Sequence, residues 1–138
     1  MNGGKLSMFT YQSYLEAKDR ITFQDTEEIY NELRTAANTN NRQFQDLWKD
    51  VIQRAIDYVN FRAKYSIQTP NERSEDFDKT RTTKHNMFMY SLQDIVFFMD
   101  EQGWQTDWFK KIGTIKDSRK RLGDFACYLV YIYSLNAR

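Results

Sequence analysis

The residue types that most often carry chemistry are scarce in this sequence. His85 is the only histidine and Cys127 is the only cysteine, so the chain can form neither a His/Cys zinc cluster nor an internal disulfide. It also has no Gly-rich phosphate loop, no Gly-x-Ser-x-Gly elbow and no His-Glu-x-x-His helix. We therefore expect no cofactor and no metal, and we predict that the protein is not an enzyme.

His85 is the one side chain that would suit a general base. It lies on the apolar side of a predicted helix, where a neutral imidazole needs hydrogen-bond partners for its ring nitrogens. Asn86, Arg81 or a carboxylate of the last helix would supply them. We favour a structural histidine, and an enzyme that uses His85 with an acidic partner stays open as a third hypothesis.

A basic cluster with neighbouring aromatic residues precedes the last predicted helix. Basic groups interleaved with aromatic rings are typical of surfaces that follow phosphates and stack on bases. The net charge of +1 and the absence of a helix-turn-helix pattern favour the other interpretation, a solvated helix start with tryptophans that face the core. The candidate nucleic-acid surface consists of Trp108, Lys110, Lys111, Lys116, Arg119 and Lys120.

Length and composition indicate one globular domain. The chain has 138 residues, of which 41% are hydrophobic and 28% charged, and its aromatic content of 16% exceeds the need of one small core. We expect some aromatic residues at partly exposed or interface positions. A single cysteine and the absence of a signal-peptide pattern or a membrane span predict a cytoplasmic protein.

The segment from Leu122 to Asn136 is predicted to be the helix against which the others pack. Between Asp124 and Arg138 it has no charged residue, and apolar residues occur on all sides of the helix. A helix that is apolar all round is normally buried on most sides. Because the same residues favour strands, a buried strand is the alternative, although no other segment offers a comparable strand partner.

Helical periodicity also marks three other long segments. We predict helices over 25–38, from Phe44 to the Thr69-Pro70 step, and over 79–102, with Asp25 as an N-cap, Asn40 or Asn41 as the next cap and Gly103 as a terminator. Residues 70–78 are predicted to be a polar loop, and 104–112 a short helix. The expected fold is all-α, a compact bundle of four main helices with one or two short extra helices. Residues 1–20 would form an N-terminal arm or short helix, and 21–138 a single helical domain.

Two short motifs carry a resemblance to a known family. His85-Asn86 early in one helix, followed by Arg121-Leu-Gly-Asp-Phe-Ala126 at the start of the last, resembles a small, uncharacterised bacterial family of helical proteins. The resemblance covers roughly the C-terminal half. It implies a compact helical fold and carries no known activity.

A polar cluster is predicted where the third and last helices cross. We expect Gly123 to let a neighbouring helix approach closely, and Arg121 or Asp124 to join Arg81, His85 and Asn86 there. Its expected role is to fix the register of the two helices.

The surplus of aromatic residues and the apolar last helix predict a non-enzymatic helical interaction protein of bacterial or phage character. We expect it to bind a protein partner, including a second copy of itself as a homodimer, with Tyr128 and Tyr131 as the interface. A nucleic-acid-binding accessory protein that uses Lys110 to Arg121 is the alternative.

Overall fold

The part of the chain that the structure describes folds into five α-helices. The computed structural model describes residues 23–67, 75–113 and 118–136, with side chains described for 25–62, 75–112 and 122–135. The predicted arm over residues 1–20 lies outside these ranges. The helices are α1 (Phe23–Ala36), α2 (Arg42–Ile67), α3 (Glu75–Glu101), α4 (Asp107–Gly113) and α5 (Ser118–Asn136). Within the described ranges no strand occurs, which confirms the all-α prediction.

Local signals in the sequence fix two of the helix ends. The side chain of Asn41 accepts a hydrogen bond from the backbone N–H of Phe44 at 2.9 Å, as an N-cap of α2 should. Gly103 ends α3 with a φ of +79°, while the N–H groups of Gly103 and Trp104 donate to the carbonyls of Asp100 and Met99. This pair of bonds is a Schellman motif, so both predictions are confirmed.

Other predicted boundaries are wrong by a few residues. Because α1 begins at Phe23, Asp25 lies in its first turn instead of at the N-cap. Helix α3 begins at Glu75, so the last part of the predicted loop over 70–78 is helical. Its acidic residues Glu75, Asp76 and Asp78 occupy the first turn, where they interact favourably with the positive end of the helix dipole.

Helices α2 and α3 form an antiparallel pair. Aromatic contacts join Phe44 to Trp104, with ring centroids 6.1 Å apart, and Phe61 to Phe77, with centroids 4.5 Å apart. The start of α2 therefore lies beside the segment that follows α3, and the later part of α2 lies beside the start of α3. The two helices run in opposite directions. Their shared core contains Val51, Ala55, Phe88, Leu92 and Ile95, all with 0% exposure.

Helix α5 is the element that every other described helix touches. It contacts α1, α2, α3 and α4, and nine consecutive residues, Leu122 to Val130, are buried. Consecutive burial around a helix requires neighbours on all its sides. The prediction of a central apolar helix is therefore confirmed, and the strand alternative is wrong. The last turns of α5 are more open, since Tyr133 and Leu135 are exposed.

Candidate functional site

A polar cluster lies where α2 meets the first turns of α5. A Cβ atom on Gly123 would lie 2.7 Å from Nη1 of Arg62 and 3.2 Å from the hydroxyl oxygen of Tyr58. The first distance is too short for a real Cβ contact and the second is tight, so the missing side chain of Gly123 makes room chiefly for the Arg62 guanidinium. The Arg62 guanidinium in turn donates a hydrogen bond to Tyr58.

The electrostatics of the cluster hold the Arg62 charge inside the protein. Burial lowers the pKa of Arg62, but this effect is offset by Cys127 and Tyr58, which become anions only in alkali, and by the Asp124 carboxylate, so the pKa of Arg62 is raised overall. At neutral pH the compensating charge is that of Asp124. Asp124 is itself buried, with 6% exposure. A half-buried cation beside a buried carboxylate fits the general rule that charges inside proteins are compensated.

The two weak acids of the cluster are protonated at neutral pH. Burial raises the pKa of the Cys127 thiol to about 11, although the Arg62 charge acts in the opposite direction. Burial likewise raises the pKa of Tyr58. The thiolate is the nucleophilic form of cysteine, so Cys127 is a poor nucleophile here.

Part of the predicted cluster on α3 does meet these residues. The His85 ring packs edge-on against Tyr58, with centroids 5.5 Å apart, and its Nδ1 lies 3.3 Å from Oδ1 of Asn86. Arg81 pairs with Asp78 at 3.3 Å, and its charge also acts on Tyr58. The expected partner Arg121 has no described side chain.

The centre of the cluster differs from the prediction. Tyr58 and Arg62 of α2 lie between α3 and α5 in the cluster. The predicted cluster contained residues of α3 and α5 only. Arg62 falls on the same helical stripe as the core residues Phe44 and Ala55, a position with two interpretations. The sequence favours the first, in which the stem covers the edge of the core and the guanidinium reaches water, over the second, in which Arg62 pairs with a carboxylate across the bundle. The electrostatic effect of Asp124 on the pKa of Arg62 agrees with the second.

The structure corrects the candidate nucleic-acid surface at one residue. Trp108 has 0% exposure, so its ring is not available for stacking on a base. Lys111 forms an ion pair with Glu32 of α1, and this hydrogen bond raises the pKa of Lys111. Lys110 pairs with Asp107 at 3.7 Å. The side chains of Lys116, Arg119 and Lys120 lie outside the described residues.

The candidate interface also changes. Tyr128 has 2% exposure and packs edge-on against Tyr30 of α1, with ring centroids 5.7 Å apart. The prediction that Tyr128 is an exposed interface residue is therefore wrong, because α1 and the rest of the bundle cover this part of α5. Tyr131 is half-buried beside Tyr128, at a centroid distance of 6.4 Å.

Exposed aromatic side chains occur instead on α3. Phe97 is 65% exposed and Tyr90 is 53% exposed, the two highest values among the large apolar residues described. Met87, Asp94 and Glu101 are also exposed. In chain order the five residues follow one another at spacings of three, four, three and four residues. This spacing puts the five on one side of the helix. We call Met87, Tyr90, Asp94, Phe97 and Glu101 the outer face of α3.

Sequence reasoning missed the outer face, although a signal was present. The sequence pattern identified the buried row of α3, which includes Phe88, Leu92 and Met99. It gave no role to Tyr90 or Phe97. These two residues lie roughly opposite the buried row at 100° per residue. Large apolar residues on both sides of this helix are therefore visible in the sequence itself.

No protein-family model, no curated protein and no solved structure matches this chain. The function must therefore be inferred from the chemistry of its own surfaces. None of the described helices is long and apolar enough to span a membrane.

Proposed function

We propose that the protein is a non-enzymatic helical interaction module that binds a protein chain through the outer face of α3. The observation that carries this proposal is the exposure of Phe97 and Tyr90, at 65% and 53%. Isolated apolar residues on a surface are ordinary, but these two share one side of one helix with Met87. Tyrosine, phenylalanine and methionine are also enriched where proteins contact one another.

The position of the outer face fits this role. It lies on the side of α3 away from α2, so a partner would reach it without disturbing the core row of Phe88, Leu92 and Ile95. The surface is also carried by a long helix that is packed along its inner side. A rigid helix presents its side chains in a fixed arrangement, which lowers the entropic cost of association.

Photo-crosslinking on the outer face would test the proposal. A benzophenone amino acid would replace Phe97 in one variant and Gln53, an exposed residue of α2, in a control variant. After irradiation in an extract of the native host, we expect protein adducts that are specific to position 97. Adducts of equal yield at both positions, or none at position 97, would contradict the proposal.

Self-association remains part of the proposal, but no longer through Tyr128. The exposed apolar residues that a second copy would cover are Tyr133 and Leu135 of α5, since the outer face of α3 is assigned to a different chain. Sedimentation velocity over a wide range of concentration would test it. A protein that stays monomeric throughout would remove self-association and leave a different chain as the partner.

Two further expectations belong to the same proposal. A cytoplasmic location agrees with the single, buried thiol of Cys127, which needs no oxidising compartment. The resemblance of the C-terminal half to a bacterial family of helical proteins stays a prediction.

A further inference from the structure

The outer face of α3 combines its exposed aromatic residues with an unbalanced charge. Asp94 lies between Tyr90 and Phe97, and Glu101 lies one turn beyond Phe97. Neither carboxylate forms an ion pair within the described part of the chain. From Asn86 through Phe109 the sequence contains no Lys, Arg or His. The end of α3 is therefore acidic, with no basic side chain from its own sequence to balance it.

The helix itself adds to this negative charge. The aligned peptide dipoles give the C-terminal end of a helix a partial negative charge, and Glu101 is the last residue of α3. The same end carries Asp100, which accepts a hydrogen bond from Thr106 at 3.0 Å. Cationic groups of a partner would be attracted to this end of the outer face, and anionic groups would be repelled.

The spacing of the face indicates the shape of what would cover it. Tyr90 and Phe97 are seven residues apart, and so are Asp94 and Glu101. In the pattern by which one helix packs along another, apolar residues recur every seven residues and the intervening positions, three or four residues away, are usually apolar as well. Here Asp94 and Glu101 occupy the intervening positions, so the partner needs cationic groups there. Tyr90 and Phe97 lie about 10 Å apart along the axis, which is two helical turns. A helical partner would match both repeats.

We propose that the outer face of α3 binds a basic amphipathic helix of another protein, with apolar residues against Tyr90 and Phe97 and with Lys or Arg opposite Asp94 and Glu101. This proposal rests on the proposed function and specifies its partner. Nucleic acids and anionic membranes are repelled by the same charges that attract a basic helix. A second copy that used the same face would bring Asp94 and Glu101 towards their own equivalents, which like-charge repulsion disfavours.

The test compares two labelled synthetic helices of three heptads each. Both have Leu at the positions that contact the face, and they differ only in carrying Lys or Glu at the flanking positions. Fluorescence anisotropy would measure binding to the full chain at low and at physiological salt. We expect the wild-type protein to bind the Lys peptide about tenfold more tightly than the Glu peptide, with the difference shrinking as salt is added.

Two variants separate the charge from the apolar contact. Asp94→Lys combined with Glu101→Lys should reverse the preference, so that the Glu peptide binds more tightly. Phe97→Ser should weaken binding of both peptides. The matched control, Asp46→Lys with Asp50→Lys, makes the same change of charge at exposed positions of α2 and should keep the preference of the wild type.

The outcomes distinguish the two levels of the proposal. Equal binding of both peptides, reduced by Phe97→Ser, would overturn the basic partner and keep an apolar docking surface. If the control Asp46→Lys with Asp50→Lys also reversed the preference between the two peptides, the preference would reflect the overall charge of the protein. That result would overturn the assignment to α3. Failure of the wild type to bind either peptide would also overturn the basic helix, while crosslinking at position 97 would still decide the proposed function on its own.

Discussion

Helices α5 and α3 both carry apolar residues on more than one side, yet they differ in how completely those residues are buried. All nine residues from Leu122 to Val130 are buried in α5, whereas α3 buries one row and exposes Tyr90 and Phe97. The reason lies in their neighbours. Helix α5 contacts the four other described helices, while α3 packs chiefly against α2. Apolar residues all around a helix therefore predict burial only where the chain supplies enough neighbours.

The sequence contains the distinction between the two helices. Between Asp124 and Arg138, α5 has no charged residue at all. The outer row of α3 instead alternates Tyr90 and Phe97 with Asp94 and Glu101. Charges placed between apolar residues on the same side of a helix keep that side open to water, because burying an unpaired carboxylate is costly. The remaining apolar groups on such a side are then accessible to a partner.

The largest expected contrast is between one phenylalanine from each helix. Phe125 of α5 has 0% exposure, so Phe125→Ala should lower the free energy of unfolding by about 3–5 kcal/mol through lost burial and a cavity. Phe97→Ala on the outer face should change it by no more than about 0.5 kcal/mol. Guanidinium unfolding would measure both. Phe125→Leu, which retains most of the volume, is the variant to use if Phe125→Ala does not fold.

Similar losses for Phe97→Ala and Phe125→Ala would contradict the comparison. Such a result would mean that Phe97 contributes to the core of the folded chain. The outer face would then lose its main support as a binding surface. The m value, which is the dependence of the unfolding free energy on guanidinium concentration, should be the same for Phe97→Ala and the wild type. Equal m values would show that both expose the same surface area on unfolding.

Burial of α5 should also make the protein sensitive to alkali. The pKa of the Cys127 thiol is about 11 in the folded chain and 9.0 without the protein environment. Between these values the unfolded state has lost this proton and the folded state retains it. Stability therefore falls as pH rises from about 9 to 11, by about 1.4 kcal/mol per unit at most and about 2–3 kcal/mol in all.

Cys127→Ser is the matching control for this pH dependence. Serine does not titrate in this range, so the fall in stability should begin about one pH unit later, when Tyr58 and Tyr128 begin to contribute. Burial raises the pKa of Tyr128 to about 12. Urea unfolding from pH 8 upwards would measure the onset in each variant. The same alkaline onset in wild type and Cys127→Ser would show that the thiol does not control it.

The third prediction concerns the end of α3, where the acidic charge is concentrated. Gly103 has a φ of +79°, and a Cβ at this position would meet nothing within 4 Å. The cost of Gly103→Ala is therefore backbone strain alone, about 1–2 kcal/mol. Gly103→Asn should cost less, because asparagine tolerates this conformation. Equal losses for the two variants in thermal unfolding would contradict this account.

These regions also show how far the sequence could predict the structure. Caps and terminators are local, so Gly103 and a cap at Asn40 or Asn41 could be predicted from the sequence, and the structure shows Asn41 as the cap. The predicted cap at Asp25 was wrong, because α1 begins two residues earlier. The burial of α5 followed from its composition. In contrast, the sequence could not predict that Arg62 of α2 lies beside Gly123 of α5, because this contact depends on how the two helices cross. Burial of Tyr128 was missed for a similar reason, since its cover includes Tyr30 of α1.

A smaller loss than at Phe125 or Gly103 is expected at Gly123, where α5 accommodates α2. Alanine is favoured over glycine within a helix by about 1 kcal/mol. At this position, however, a Cβ would lie only 2.7 Å from Nη1 of Arg62 and 3.2 Å from the hydroxyl oxygen of Tyr58, so the guanidinium would have to move. Losing the hydrogen bond between Arg62 and Tyr58 and moving a charge from Asp124 costs about 1–3 kcal/mol. The costs slightly outweigh the gain, so Gly123→Ala should destabilise the protein by about 1 kcal/mol.

A double-mutant cycle with Arg62→Ala would show whether Arg62 is the reason for this glycine. Without the guanidinium, the main obstacle to the new methyl group is gone and the helix preference for alanine remains. Gly123→Ala should then be neutral or stabilising by up to about 1 kcal/mol in the Arg62→Ala background. Chemical unfolding of the four proteins would measure the coupling. If Gly123→Ala has the same effect with and without Arg62, the glycine is required by the backbones of α2 and α5 instead of by the polar cluster.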